Sequence, residues 1–256
     1  MSTFLFDKII FGPVSSRRLG SSLGINLLPS HCKVCNFNCV YCECGWTKKP
    51  TKNEMPTREE IYESLKTRLI SAKQTNEKLD VITFAGNGEP TMHKEFPEIV
   101  DDTVKLKKQY YPSLKIAVLS NATLVNKQRV LAALQKTDYN ILKLDSAFEE
   151  TIKLINQPLG YFNLKELIET LKNNNTNLTI QTLFLRGKAG GKLFDNSTDK
   201  EVAAWLGAIK SIQPKQVMIY SIARDTPSET IEKIPKEKLI EIAEKVKNAG
   251  IEISVS

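Results

Sequence analysis

A chain of 256 residues, 41% hydrophobic and 25% charged, is long enough to bury a substantial core without disulfide staples, and its composition excludes disordered, coiled-coil and collagen-like classes. Lys and Arg outnumber Asp and Glu by 36 to 29, a formal charge of +7 that suits an anionic partner such as RNA without requiring one. No charged leader followed by an apolar run opens the sequence, and no stretch reaches the ~18 apolar residues of a membrane span, so the expectation is a soluble cytoplasmic protein.

Taken in chain order, apolar runs rich in β-branched residues predict strands at 24–28, 81–85, 115–120, 140–144, 178–184 and 216–220, with an extra strand at each end, 5–10 and 251–255. Helical periodicity predicts helices at 57–72, 96–107, 127–135, 164–173, 200–211 and 236–248. The first opens on a Thr-Arg-Glu-Glu start signal and repeats apolar residues at Ile61, Leu65 and Leu69. Pro235 and Gly250 punctuate the last. Strands that alternate with helices in this way wrap a parallel sheet. The expected fold is therefore α/β, a partial (βα)6 TIM-like barrel in a single domain, 1–256, with short strand extensions at both ends. Barrels of this kind keep their chemistry on the loops at the C-terminal ends of the strands.

All five cysteines fall between Cys32 and Cys44, a distribution unlike a disulfide framework and suggestive of metal. Within CNFNCVYC, Cys35, Cys39 and Cys42 are spaced C-x3-C-x2-C, directly after the strand at 24–28. Three thiolates on one loop can take three corners of a cubane and leave the fourth iron open, whereas a fully ligated 4Fe-4S cluster takes four cysteines. The competing reading is a four-cysteine zinc site, with a non-enzymatic zinc or iron–sulfur protein as its consequence, although structural zinc usually shows two separated C-x2-C pairs. Cys32 and Cys44 are too few for a second cluster and read as packing or loop thiols.

With Tyr41 just before its last cysteine, the triad resembles the signature of the radical S-adenosylmethionine (SAM) superfamily. GPVSSRRLGSSLGINLLP leading into the loop, and FAGNGEPTMH after the next strand, resemble the branch that is similar to wyosine-forming tRNA enzymes. The resemblance covers most of the chain, although the second cluster of the wyosine-forming enzymes has no cysteines here. It implies a 4Fe-4S cluster on Cys35, Cys39 and Cys42 and SAM as cofactor. An electron donor such as flavodoxin or ferredoxin would drive reductive cleavage of SAM to a 5′-deoxyadenosyl radical, which takes hydrogen from a substrate. It further implies that Asn87, Gly88 and Glu89 stand where a Gly-Gly-Glu segment binds the methionine amino group. Ser120 and Asn121 then fall on the ribose side, Lys143 and Asp145 on the carboxylate side or the substrate, and Tyr220 near the adenine. The bland alternatives are an ordinary βα turn at 86–90, a helix cap at Asn121 and a surface salt bridge for Lys143.

Basic residues expected at the mouth are Arg17 and Arg18, then Lys48, Lys49 and Lys52, and then Arg186, Lys188 and Lys192 in a Gly-rich loop after the strand at 178–184. They favour RNA, as in tRNA modification, or a phosphorylated small molecule as substrate. The second expectation is a glycyl-radical activase or peptide-modifying enzyme. A bulky residue at Gly88 is expected to block SAM while sparing the cluster.

Overall fold

A computed structural model describes residues 4–48, 55–174, 177–224 and 226–256. The chain opens with a hairpin, β1 (Ile10–Ser16) and β2 (Gly20–Ile25), and passes through the cysteine loop to α1 (Arg58–Gln74). It then alternates through β3 (Val81–Phe84), α2 (Phe96–Tyr110), β4 (Lys115–Ser120), α3 (Gln128–Leu134), β5 (Tyr139–Lys143), α4 (Glu149–Ile155), α5 (Leu164–Asn173) and β6 (Leu178–Leu183). A small hairpin, β7 (Leu185–Ala189) and β8 (Lys192–Asp195), precedes α6 (Asp199–Ile212) and β9 (Gln216–Tyr220). The last elements are β10 (Ile231–Lys233), α7 (Lys236–Lys247) and β11 (Glu252–Val255).

Eight strands form one sheet in the order β1-β2-β3-β4-β5-β6-β9-β11, antiparallel between β1 and β2 and parallel elsewhere. The sheet curls into the half-barrel that the strand–helix alternation predicts. Helices cover the outward face of the strands, and the inward face lines the lumen. Outward residues such as Ile82, Phe84, Ile116, Val118, Ile180 and Val217 join Leu65, Leu69, Ile99, Trp205 and Ile242 from the helices in one large core. Inward, Val81, Ala117, Ile141 and Met218 form a small apolar layer, with Leu19 against it. The start of α1 is fixed by a capping box between Thr57 and Glu60.

Three expectations need correction. The predicted strand at 5–10 is not one, because the Asn87 side chain takes both backbone groups of Phe6 (2.8 and 2.9 Å) and the edge strand begins only at Ile10. The Gly-rich stretch at 186–192 is a hairpin rather than a loop. Gly190 and Gly191, both at positive φ, make the two-residue turn between Ala189 and Lys192. α4 (Glu149–Ile155) is missing from the predicted helices. Among the described residues no helix is long and apolar enough to cross a membrane.

Candidate active site

The cysteine loop is held between two parts of the barrel rim. On one side Val34 bridges Gly88: Val34 N donates to Asn87 O (2.9 Å) and Glu89 N donates to Val34 O (3.0 Å). A Cβ at Gly88, where φ is +137°, would lie 1.9 Å from Val34 O, so only glycine permits this approach. On the other side Val40 N donates to Ile155 O (2.9 Å), Asn38 N to Gln157 O (3.1 Å) and Leu159 N to Asn36 O (2.9 Å). The loop thus joins the end of β3 to the end of α4.

Cys35, Cys39 and Cys42 sit on this loop among donors aimed at sulfur. Phe37 N donates to Cys35 Sγ (3.4 Å), Asn121 Nδ2 also approaches Cys35 Sγ (3.7 Å), and Asn156 Nδ2 donates to Cys39 Sγ (3.4 Å). Lys33, only 2% exposed, donates to Gly45 O (3.0 Å) and lies beside all three thiols. Burial works against its charge, yet Cys42, Cys39 and Cys35 hold the ammonium above its ordinary range. Burial, with Glu89 adding to it, pushes Cys35 up to about 12. The Cys44 hydrogen bond, with help from Lys33, pulls Cys42 down to about 6. Cys44 also donates to Gly86 O (3.4 Å), and Cys32 packs with Leu28 and Val34.

Glu89 ties the ends of β3 and β4 together. Its Oε1 accepts from Thr91 N (3.1 Å), Thr91 Oγ1 (2.5 Å) and Ser120 Oγ (2.8 Å), and its Oε2 accepts from Asn121 N (2.7 Å). Burial raises this carboxyl's pKa, and those four bonds oppose the rise. Asn87 is likewise committed, donating to Phe6 O and to Pro29 O (2.8 Å). Asn121 is no helix cap, because α3 begins after Lys127; its Nδ2 donates to Asn36 Oδ1 (2.6 Å) in the cysteine loop.

Lys143 is not in a surface salt bridge. Its Nζ is 3.6 Å from the fully buried carboxylate of Asp145, lies between the rings of Tyr41 and Tyr220 (5.0 and 5.7 Å), and donates to Tyr220 Oη (3.4 Å). Asp145 also accepts from Tyr41 Oη, from Asn156 Nδ2 (2.7 Å) and from Leu183 N (2.9 Å). Burial and Asp145 together raise the Tyr41 phenol well above its usual range. The sequence reading missed Lys33 and Asn156. A lysine between two cysteines in HCKVC is the one local hint of the first; the second carries none.

Arg17 and Arg18 lie away from the mouth, whereas the hairpin that carries Arg186, Lys188 and Lys192 packs through Leu185, Ala189 and Phe194 against Phe37, Cys39 and Tyr41 of the cysteine loop. Because β1 runs antiparallel, Arg17 and Arg18 form the turn at the start of β2, the end of the sheet away from the cysteine loop. Arg18 reaches inward, its guanidinium carbon 4.6 Å from the Tyr220 ring centroid. Arg186 pairs with Glu232 of β10 (2.9 Å), while Lys188, Lys192 and Lys48 are exposed. Lys49 and Lys52 lie outside the described residues.

A half-barrel whose cysteine loop meets a glycine turn at the C-terminal strand ends defines a class. Residues 30–189 match the radical SAM superfamily, and the chain belongs to it. Its relatives include a UPF0026 protein of Methanocaldococcus jannaschii, 31% identical over 91% of this chain and 68% of that protein. A Brachyspira hyodysenteriae protein named GTPase Obg is 31% identical over 98% of this chain, which spans only 35% of that relative's length. Similar solved structures include a radical SAM methyltransferase from Sphaerobacter thermophilus (TM-score 0.67, 14% identity, 92% of this chain and 65% of that one). Another is TYW1 with a lysine–pyruvate adduct bound (0.59, 15%, 89% and 73%). A third is Streptococcus suis SuiB bound to precursor peptide SuiA (0.65, 13%, 91% and 48%). At such identities the fold is what is shared. Members of the superfamily are enzymes that use an iron–sulfur cluster and SAM.

Proposed function

We propose that Cys35, Cys39 and Cys42 hold three irons of a 4Fe-4S cluster, that SAM binds the fourth, and that the chain abstracts hydrogen from a substrate admitted at the C-terminal end of the barrel. The observation that carries this is the donor set: three thiols on one pinned loop, with the buried Lys33 cation and three N–H groups directed at sulfur. Burial pushes Cys35 and Cys39 up, Lys33 and the N–H groups oppose that rise, and hydrogen bonds of this kind to sulfur tune a cluster's potential.

When bound and reduced, the cluster supplies the electron that splits SAM into methionine and a 5′-deoxyadenosyl radical. The protein's share is to bind, orient and exclude water. A cavity of about 480 Å³ opens beneath the loop, walled by Tyr41, Cys44, Gly86, Leu183 and Tyr220. The side chains of Asn87 and Glu89 are already saturated and Asn87 O and Glu89 N are held by Val34, so the turn meets the methionine ammonium of SAM through the carbonyl of Gly88. Ser120 and Asn121 serve the ribose, Lys143, positioned by Asp145, the carboxylate or the substrate, and Tyr220 the adenine.

RNA is the favoured substrate, supported by the +7 charge, the exposed Lys48, Lys188 and Lys192, and the likeness to TYW1. Flavodoxin or ferredoxin is the expected electron donor. A peptide substrate is the second reading, favoured by Leu193, 82% exposed on the β7–β8 hairpin, and by the likeness to SuiB. The test is anaerobic incubation of the reconstituted chain with SAM, dithionite and deuterated RNA or peptide fractions. Deuterium reaching 5′-deoxyadenosine from RNA alone is the expected result. Label from peptide alone would replace the substrate class, and failure to cleave SAM at all would overturn the reading.

A further inference from the structure

Two buried donors inside the barrel have nothing to bond. Gln181 is 5% exposed and its Nε2 has no partner; Arg18 Nη1 is buried and equally alone. Among the described residues only two other buried side-chain polar atoms, on Glu98 and Asn156, share that condition. Arg18 and Gln181 line the same cavity and meet at Tyr220: the guanidinium lies over its ring, and Gln181 Oε1 is 3.5 Å from its hydroxyl. Leaving a donor unpaired in a low-dielectric interior is costly, so two in one cavity point to a ligand that completes them.

Charge identifies that ligand. The only acid lining the cavity is Glu43, which is paired with Arg224 (2.7 Å). Asp145, above, is taken by Lys143, Tyr41, Asn156 and Leu183 N. Arg18 also borders a second cavity with Asp80, Asp138 and Glu252, but no ion pair joins its guanidinium to a described carboxylate, and Asp138 is held by Lys107 and Lys115. The guanidinium enters from the end of the sheet opposite the cysteine loop, beside Leu19 and the apolar layer of Val81, Ala117, Ile141 and Met218. The carboxylate of SAM belongs at the loop, where its methionine end must reach iron.

We propose that Arg18 and Gln181 form an anion site in the lumen, which takes a carboxylate or phosphate group of whatever part of the substrate enters the barrel. The guanidinium offers a fork to one or two of the anion's oxygens, and the amide of Gln181 donates to another. The proposal rests on the radical SAM reading above, because that reading puts SAM at the loop and leaves the lumen for substrate.

The test uses the full chain, reconstituted and loaded with SAM, titrated with inorganic phosphate and separately with carbon-13-labelled acetate. Binding is followed by the transverse relaxation of phosphorus-31 or carbon-13. One of the two anions should saturate a single site per chain, and which one assigns the group. Arg18→Gln should weaken that binding about tenfold, the loss of one charge-assisted bond. Arg18→Lys, which keeps charge but not the fork, should recover part of it, and Lys210→Gln on the exposed face of α6 serves as the charge control. If Arg18→Gln does not fold, Gln181→Leu carries the same test. No saturable binding of either anion, or binding indifferent to both substitutions, overturns the proposal. A larger loss of SAM affinity than of anion affinity in Arg18→Gln overturns it too, by giving the guanidinium to SAM. The anion titration needs no turnover, so a wild-type chain that cleaves SAM on reduction yet binds neither anion defeats this site alone. A chain that takes up no cluster defeats the reading beneath it.

Discussion

The rim of the barrel and its lumen are built on opposite terms. At the rim, Glu89 accepts four hydrogen bonds and Asp145 is bonded to Tyr41, Asn156 and Leu183 N, so the polar side chains nearest the cysteines are largely satisfied by the chain itself. A few residues below, Gln181 and Arg18 keep donors with no partner. The difference separates parts that must be rigid before anything binds from parts that a ligand completes. A satisfied network fixes positions to within the tolerance that a radical reaction needs, whereas an unsatisfied one stores affinity for something absent.

The sharpest challenge to this contrast is at Gly88. Valine there would drive its Cβ into Val34 O, so Gly88→Val should lose the cluster together with SAM, measured as iron content and SAM binding after reconstitution. This departs from the expectation that the two would separate, because the glycine turn and the cysteine loop share one β-bridge. Retention of full iron in Gly88→Val would mean that the rim is looser than described. Next in size is Glu89→Ala, which strands the donors of Thr91, Ser120 and Asn121 and should cost about 3 kcal/mol in denaturant unfolding.

Gln181→Leu should behave in the opposite sense. Removing an orphan donor in the ligand-free chain should change stability by less than about 1 kcal/mol or raise it slightly. If it instead cost as much as Glu89→Ala, the rim and lumen would not differ. The smallest effect is expected at the surface. Lys188→Gln combined with Lys192→Gln should flatten the slope of log RNA affinity against log salt by about one to two units, with Arg186 adding little because Glu232 already holds it.

Much of the scaffold was legible in local pattern. The strands Lys115–Ser120 and Gln216–Tyr220 and the helix Leu164–Asn173 coincide with their predicted bounds, since each combines a clear period with a cap or turn at its ends. The cysteine spacing marked the loop, and the glycine turn after β3 marked its partner. What escaped notice depends on contacts far apart in sequence. Asn156 reaches Cys39 across 117 positions, and Arg18 meets Tyr220 only after the sheet has curled. SSRRLGSS reads as basic residues for the mouth, and only its antiparallel pairing puts the turn at the far end of the barrel. Lys33 was hidden for a related reason, since a lysine in a short polar loop ordinarily faces water.

Everything proposed for this chain depends on a four-iron cluster held by three cysteines, with its remaining iron left for SAM, and iron-57 Mössbauer spectroscopy of the reconstituted chain reads that directly. The expected result is about four irons per chain, of which about one quarter of the signal shifts when SAM is added while the rest stays in place. A spectrum that SAM does not move, a full cluster retained by Cys39→Ala, or stoichiometric zinc in place of iron would contradict it.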